Sequence, residues 1–178
     1  MVRRMTSNLS ARVLLVAALA SAGLPAASAA QRSGSPSWMG VDSAARTVTL
    51  TLEAATVAGE ASARLNGFRT GGVQVVVPLN WTVVWNWQNA DSAAVHSLVV
   101  MQEREKIPAE GGRPAFDNAM TRAVTAGMKP GSTDRTTFLA DQAGWYWLLC
   151  GVPGHALAGE WVGLKVDPGA REPSVNEK

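Results

Sequence analysis

Between residues 38 and 167 the apolar positions recur every second residue, the spacing of half-buried strands rather than amphipathic helices. Val48, Leu50 and Leu52 alternate with Thr47, Thr49 and Thr51. Val73, Val75 and Val77 make a second run. Trp81, Val83, Trp85 and Trp87 make a third, alternating with Thr82, Val84, Asn86 and Gln88. Further strands are predicted over 95–101, 136–139, 145–150 and 161–166. Gly71-Gly72, Gly111-Gly112, Pro130-Gly131 and Pro153-Gly154 stand between runs as turn signals. Many short strands separated by such turns predict an all-β sandwich or barrel. The stretch 102–131 is the least strand-like and is expected to be an irregular or short helical insertion. The chain has seven tryptophans. Their alternation with polar residues points most of them into the core rather than onto a carbohydrate-binding platform.

The two ends break this pattern. Residues 1–30 read as an export signal: Arg3, Arg4 and Arg12 lead, Val13 to Leu24 form an apolar run too short to span a bilayer, and Ala27-Ser28-Ala29 offers a small-x-small cleavage site. The competing reading is an uncleaved membrane anchor. Cleavage places the mature protein in the periplasm or outside the cell. Residues 31–37 are expected to be a linker, 38–167 one domain, and 168–178, with two prolines and no periodic apolar residues, a flexible tail.

Composition changes one part of this picture. The formal net charge is +2. Without residues 1–30, thirteen basic residues face fourteen acidic ones, a net charge of −1. With no Lys/Arg run elsewhere, a nucleic-acid or anionic-membrane binder is not expected, nor is a membrane span in the mature form. One cysteine excludes an intramolecular disulfide, a four-cysteine zinc site and a single-chain four-cysteine iron–sulfur cluster.

Candidate chemistry is concentrated in Cys150-Gly151-Val152-Pro153-Gly154-His155, a thiol and an imidazole in a Gly/Pro loop after a predicted strand. The other histidine, His96, lies in the strand predicted over 95–101. Period-two alternation puts Tyr146, Leu148 and Cys150 on one face, and His96, Leu98 and Val100 likewise. A soft thiolate with two imidazoles is a donor set for copper in a one-electron site. The competing readings are a buried structural cysteine with structural histidines, and a Cys–His nucleophile. The first leaves a free thiol exposed to oxidation outside the cytoplasm. The second lacks a signature for an orienting group or an oxyanion hole.

Four pieces of the chain, in order, resemble the cupredoxins, and within them the sulfocyanin group related to rusticyanin. They are Trp38 with 47–52; Leu65-Asn66-Gly67-Phe68 with Val75-Val76-Val77-Pro78-Leu79-Asn80-Trp81; Val95-His96-Ser97-Leu98; and the segment from Ala143 to Ala156 containing Cys150-Gly151-Val152-Pro153-Gly154-His155. The resemblance implies a Greek-key β-sandwich with one type 1 copper per chain. It makes His96, Cys150 and His155 the equatorial ligands and sets the Ser97 amide near the thiolate sulfur. It also implies a monomeric one-electron carrier, not an enzyme, with redox protein partners such as a cytochrome or an oxidase. The alternative is copper storage or delivery without redox turnover.

One position departs from the family pattern. Five residues after the loop histidine the family places a methionine as weak axial ligand; here Glu160 stands there, in Gly159-Glu160-Trp161. Met101, five residues past His96, points to the opposite strand face. Met39 precedes the first strand and Met120 and Met128 fall in the irregular stretch, where the pattern assigns them no face, so Glu160 is the default axial candidate. Left open are a Glu160 turned to solvent, with the axial position empty or taken by a backbone carbonyl, and a site that tolerates another metal.

Overall fold

The computed structural model describes residues 35–60 and 62–178. The predicted export signal and most of the predicted linker lie outside the described residues. Among the described residues ten strands form two five-stranded sheets. In the first, β2 (Thr47–Thr56) and β5 (Trp81–Asn89) run parallel at the centre. β1 (Met39–Asp42) and β3 (Ala63–Leu65) share the other edge of β2, and β7 (Thr133–Ala140) closes the far side of β5. The second sheet runs β10 (Ser174–Glu177), β4 (Val73–Pro78), β9 (Trp161–Asp167), β8 (Gly144–Leu149), β6 (Val99–Gln102). This is the expected all-β Greek-key sandwich. Leu50, Leu52, Val83, Trp85 and Trp87 of the first sheet meet Val73, Val75, Val77, Leu148, Leu164 and Val166 of the second in one buried core.

The first sheet obeys the alternation: buried and exposed residues take turns along β2 and β7. The second does not, because the 103–132 segment covers part of its outer face. Val99, Trp147, Leu149 and Ala156 form a second cluster there, with Met101, Ile107 and Val124 packed against it. β8 is thus apolar on both sides, and its sequence reads as an unbroken apolar run for that reason. The covering segment is irregular; among the described residues it contains no helix. It hydrogen-bonds along the chain ahead of β6 and over its start, through Thr121 N to Leu98 O and Val100 N to Ala119 O.

Two expectations change, and a third, core tryptophans, holds for most of them but not for Trp145 and Trp147. The strand predicted over 95–101 begins only at Val99. His96 instead exchanges backbone hydrogen bonds with Met128, in an isolated bridge. Trp147 packs under the insertion rather than in the sandwich core, and Trp145 is 49 % exposed, with the Lys165 ammonium 5.0 Å from its ring centre. The tail expected to be flexible supplies β10, antiparallel to β4, and Val175 packs on the core. Its sequence lacks a period because the strand is held by backbone bonding at an open sheet edge, which leaves no side-chain pattern to read.

The sheet order places the site. β8 is antiparallel to both its neighbours, so its C-terminal end lies beside the N-terminal ends of β9 and β6. Leu149 pairs with Val99 on one side and Trp161 on the other. The residues just outside these ends are Cys150, Glu160 and the 96–98 segment.

Candidate metal centre

Cys150 follows β8 directly, and its amide donates to the Glu160 carbonyl (3.0 Å). The nine residues between them fold into consecutive turns. His155 N donates to Val152 O, Ala158 N to Gly154 O, Gly159 N to Ala156 O and Glu160 N to His155 O. That winding returns the Glu160 side chain toward His155. His96 arrives from the opposite side, on the segment between β5 and β6.

Together the four side chains form a cluster whose donor atoms all lie within 4.8 Å of one another. One carboxylate oxygen, Glu160 Oε2, is 2.9 Å from His96 Nδ1 and 3.1 Å from His155 Nδ1. Cys150 Sγ is 3.5 Å from His155 Nδ1. The Ser97 amide donates to Cys150 Sγ at 3.3 Å, where the family resemblance places it, and Ser97 Oγ donates to Val124 O and accepts from Gly151 N. Glu160 is 2 % exposed, so its side chain is turned inward rather than to solvent. Met101 packs in the cluster on the outer face of the second sheet, away from these donors.

Residues 35–174 match the family model for the sulfocyanin (SoxE) domain. This chain belongs to the sulfocyanin family. It is 27 % identical over 127 residues to the sulfocyanin of Sulfolobus acidocaldarius, an alignment covering 67 % of this chain and 63 % of that relative. Solved structures similar to it include reduced auracyanin from Roseiflexus castenholzii, at TM-score 0.45 and 22 % identity over 66 % of this chain and 97 % of that one. Rusticyanin from Thiobacillus ferrooxidans is similar at TM-score 0.44 and 24 % identity, over 73 % and 86 % of the two chains.

The sulfocyanin cluster suits one copper ion. Metal–ligand bonds of about 2.0–2.3 Å in a tetrahedral set put neighbouring donors roughly 3.3–3.8 Å apart, comparable to the spacings here. One thiolate and two imidazoles suit copper in both oxidation states, and a carboxylate adds a hard anionic donor. The metal-free electrostatics also favour a cation. Burial, and then the Glu160 charge, push the Cys150 thiol up to about 12, so it keeps its proton until a metal displaces it. Burial opposes ionisation of Glu160, but hydrogen bonds from His155 and His96 outweigh it and hold the carboxyl below its ordinary range. Burial likewise opposes charge on His96, and Glu160 and Asp91 together overcome it and raise its pKa.

The sulfocyanin ligand loop is braced from residues 60–71, a contribution that its sequence did not suggest. Arg69 Nη2 and Ser62 Oγ both donate to Ala158 O at 2.9 Å, and Thr70 N donates to Gly159 O at 2.8 Å. Glu60 pairs with Arg64 and Arg69 and holds the guanidinium in place. The carbonyls of Ala158 and Gly159 are thereby engaged. Gly159 has φ +105°, and a Cβ there would lie 2.6 Å from Thr70 Oγ1. Gly159→Ala is therefore expected to destabilise the metal-free protein by about 1–3 kcal/mol, through backbone strain and this clash. Thermal unfolding checks it, and a midpoint equal to wild type would mean that the brace yields.

Proposed function

We propose that this chain carries one electron at a time between redox proteins, through one copper held by His96, Cys150 and His155 with Glu160 as fourth ligand. The observation that carries this reading is the convergence of three donors from a braced loop with His96 from the segment before β6, only one of the four reaching solvent. His96, Cys150 and Glu160 are buried; the His155 side chain keeps 29 % of its surface exposed. Around it stand Pro153, Gly154, Leu157 and Ala158, all exposed, and residues 151–159 include no charged side chain. Such a patch suits brief apolar docking, with an imidazole edge as the electron's exit.

A bound copper supplies a Cu(II)/Cu(I) couple. The side chains set its cost: with one thiolate and one carboxylate the shell is neutral around Cu(II) and carries −1 around Cu(I), which disfavours reduction in a buried site. The partners we propose are redox proteins of the cytochrome or oxidase class, met by a monomer. Four protein donors leave no open position for a substrate, which supports a carrier over an enzyme. The braced, largely buried set supports retention of the metal over its delivery. We also propose that the chain is exported and works outside the cytoplasm, on the signal-like pattern of residues 1–30.

Copper-loaded protein studied by optical and EPR spectroscopy through repeated reduction and oxidation tests the reading. The expected result is one copper per chain and an intense visible band, shifted to shorter wavelength than in a Met-ligated site. The band should return in full with each cycle. Loss of copper on reduction would instead support delivery.

A further inference from the structure

His96 lies between two carboxylates, and only one of them belongs to the cluster. Its Nδ1 faces Glu160. Its Nε2 is buried and has no hydrogen-bond partner among the described residues. The atom placed to serve it is Asp91 Oδ2, at 3.6 Å, an ion-pair separation slightly longer than a hydrogen bond. Asp91 is itself buried and firmly held. Its Oδ1 accepts from Ala93 N (2.7 Å) and Ala94 N (2.9 Å). Asn89, fully buried, accepts from Asp91 N through Oδ1 and donates through Nδ2 to Ala94 O and Met128 O. Met128 in turn is bonded both ways to the His96 backbone. One polar scaffold thus fixes the ring and the carboxylate relative to each other.

We infer that Asp91 is a positioning residue for the copper centre, holding the proton of His96 on Nε2 so that Nδ1 presents its lone pair to the metal. The inference rests on His96 being a ligand. A neutral imidazole has one N–H, and ligation through Nδ1 requires it on Nε2. That N–H is buried, and without an acceptor it bears its full desolvation cost. Asp91 is the group within reach that removes this cost. A purely structural Asp91 needs only Oδ1, which already satisfies the loop amides, and leaves the aim of Oδ2 at the ring unexplained. A carboxylate behind a metal-bound histidine also fixes the ring and makes it a stronger donor. Its fixed negative charge favours Cu(II) over Cu(I). Asp91 therefore acts on the metal through His96, adding to the effect of Glu160.

Two measurements test this. The first is ¹⁵N NMR of histidine-labelled protein in the diamagnetic Cu(I) form and in the metal-free form. The expected result is a His96 proton on Nε2, slow to exchange and shifted downfield, which loses that shift in Asp91→Asn. A wild-type Cu(I) form with the His96 proton on Nδ1, or an Nε2 proton indifferent to Asp91→Asn, overturns the inference. The second is the reduction potential. Asn keeps an oxygen for Ala93 and Ala94 but removes the charge. Asp91→Asn is expected to raise the Cu(I)-to-Cu(II) affinity ratio about tenfold, which is about 59 mV for a one-electron couple. A potential unchanged within threefold in that ratio overturns it, while wild-type protein with its visible band intact keeps the copper reading standing. If wild-type protein takes up no copper, the copper reading fails and this inference with it.

Discussion

Cys150→Ser should remove nearly all of the intense visible absorption of the copper-loaded protein and leave its fold in place. The sulfur is the one soft donor of the cluster, and intense absorption at such a site arises from charge transfer between thiolate and Cu(II). Serine is close to cysteine in volume, and a hydroxyl there keeps the Ser97 amide as a partner. The expected change in metal-free stability is therefore within about 1–2 kcal/mol. Affinity should fall more for Cu(I) than for Cu(II), because the softer ion loses its matched ligand. Absorption spectra and competition titrations with a Cu(I) chelator measure both effects. A variant that keeps the wild-type colour would show that the metal is held elsewhere.

Glu160→Met should raise the reduction potential strongly and move the spectrum toward an ordinary blue site. The wild-type carboxylate is buried against both imidazoles, and it stabilises the ion with the higher charge. A unit charge about 4 Å away at an effective dielectric near 20 contributes about 4 kcal/mol. Removing it shifts the balance roughly a thousandfold, or about 180 mV for one electron. Glu160→Gln separates charge from chemistry: it should recover much of that rise while keeping an oxygen near the metal and a spectrum closer to wild type. Voltammetry and optical spectra of the three proteins decide it. A potential and spectrum unchanged in Glu160→Met would leave Glu160 as a buried partner of the two histidines and not a ligand.

Much of the sandwich is legible along the chain, because burying one face of a strand imposes a period of two. Val48, Leu50 and Leu52, and Trp81, Val83, Trp85 and Trp87, were readable as strands for that reason. The loop motif was readable too, since a lone thiol with an imidazole five residues on is rare chemistry in a short span. Legibility failed where backbone rather than side chains held the structure, as at β10; β8 was readable as a strand, but not the covering of its second face, where Trp147 packs. Asp91 carries no signal along the chain, because Asn89-Ala90-Asp91 has the composition of an ordinary polar turn. Only the aim of Oδ2 at His96 distinguishes it.

By itself, then, the sequence determined most of the longer strands, the three-residue set His96, Cys150 and His155, and the replacement of methionine by Glu160. These follow from residue type and spacing, which are properties of the chain alone. Tertiary structure decided where the Glu160 carboxylate points. Alternation along β9 does not reach residue 160, and a glutamate beside a glycine is ordinarily a solvated residue. It faces inward because Arg69, Ser62 and Thr70 hold the Ala158 and Gly159 carbonyls, and because the buried imidazole of His96 and the partly exposed one of His155 offset the desolvation of its charge. Apart from His155, five residues away in the same loop, those partners lie about 60–100 positions away along the chain, and only the packing of the two sheets brings them together.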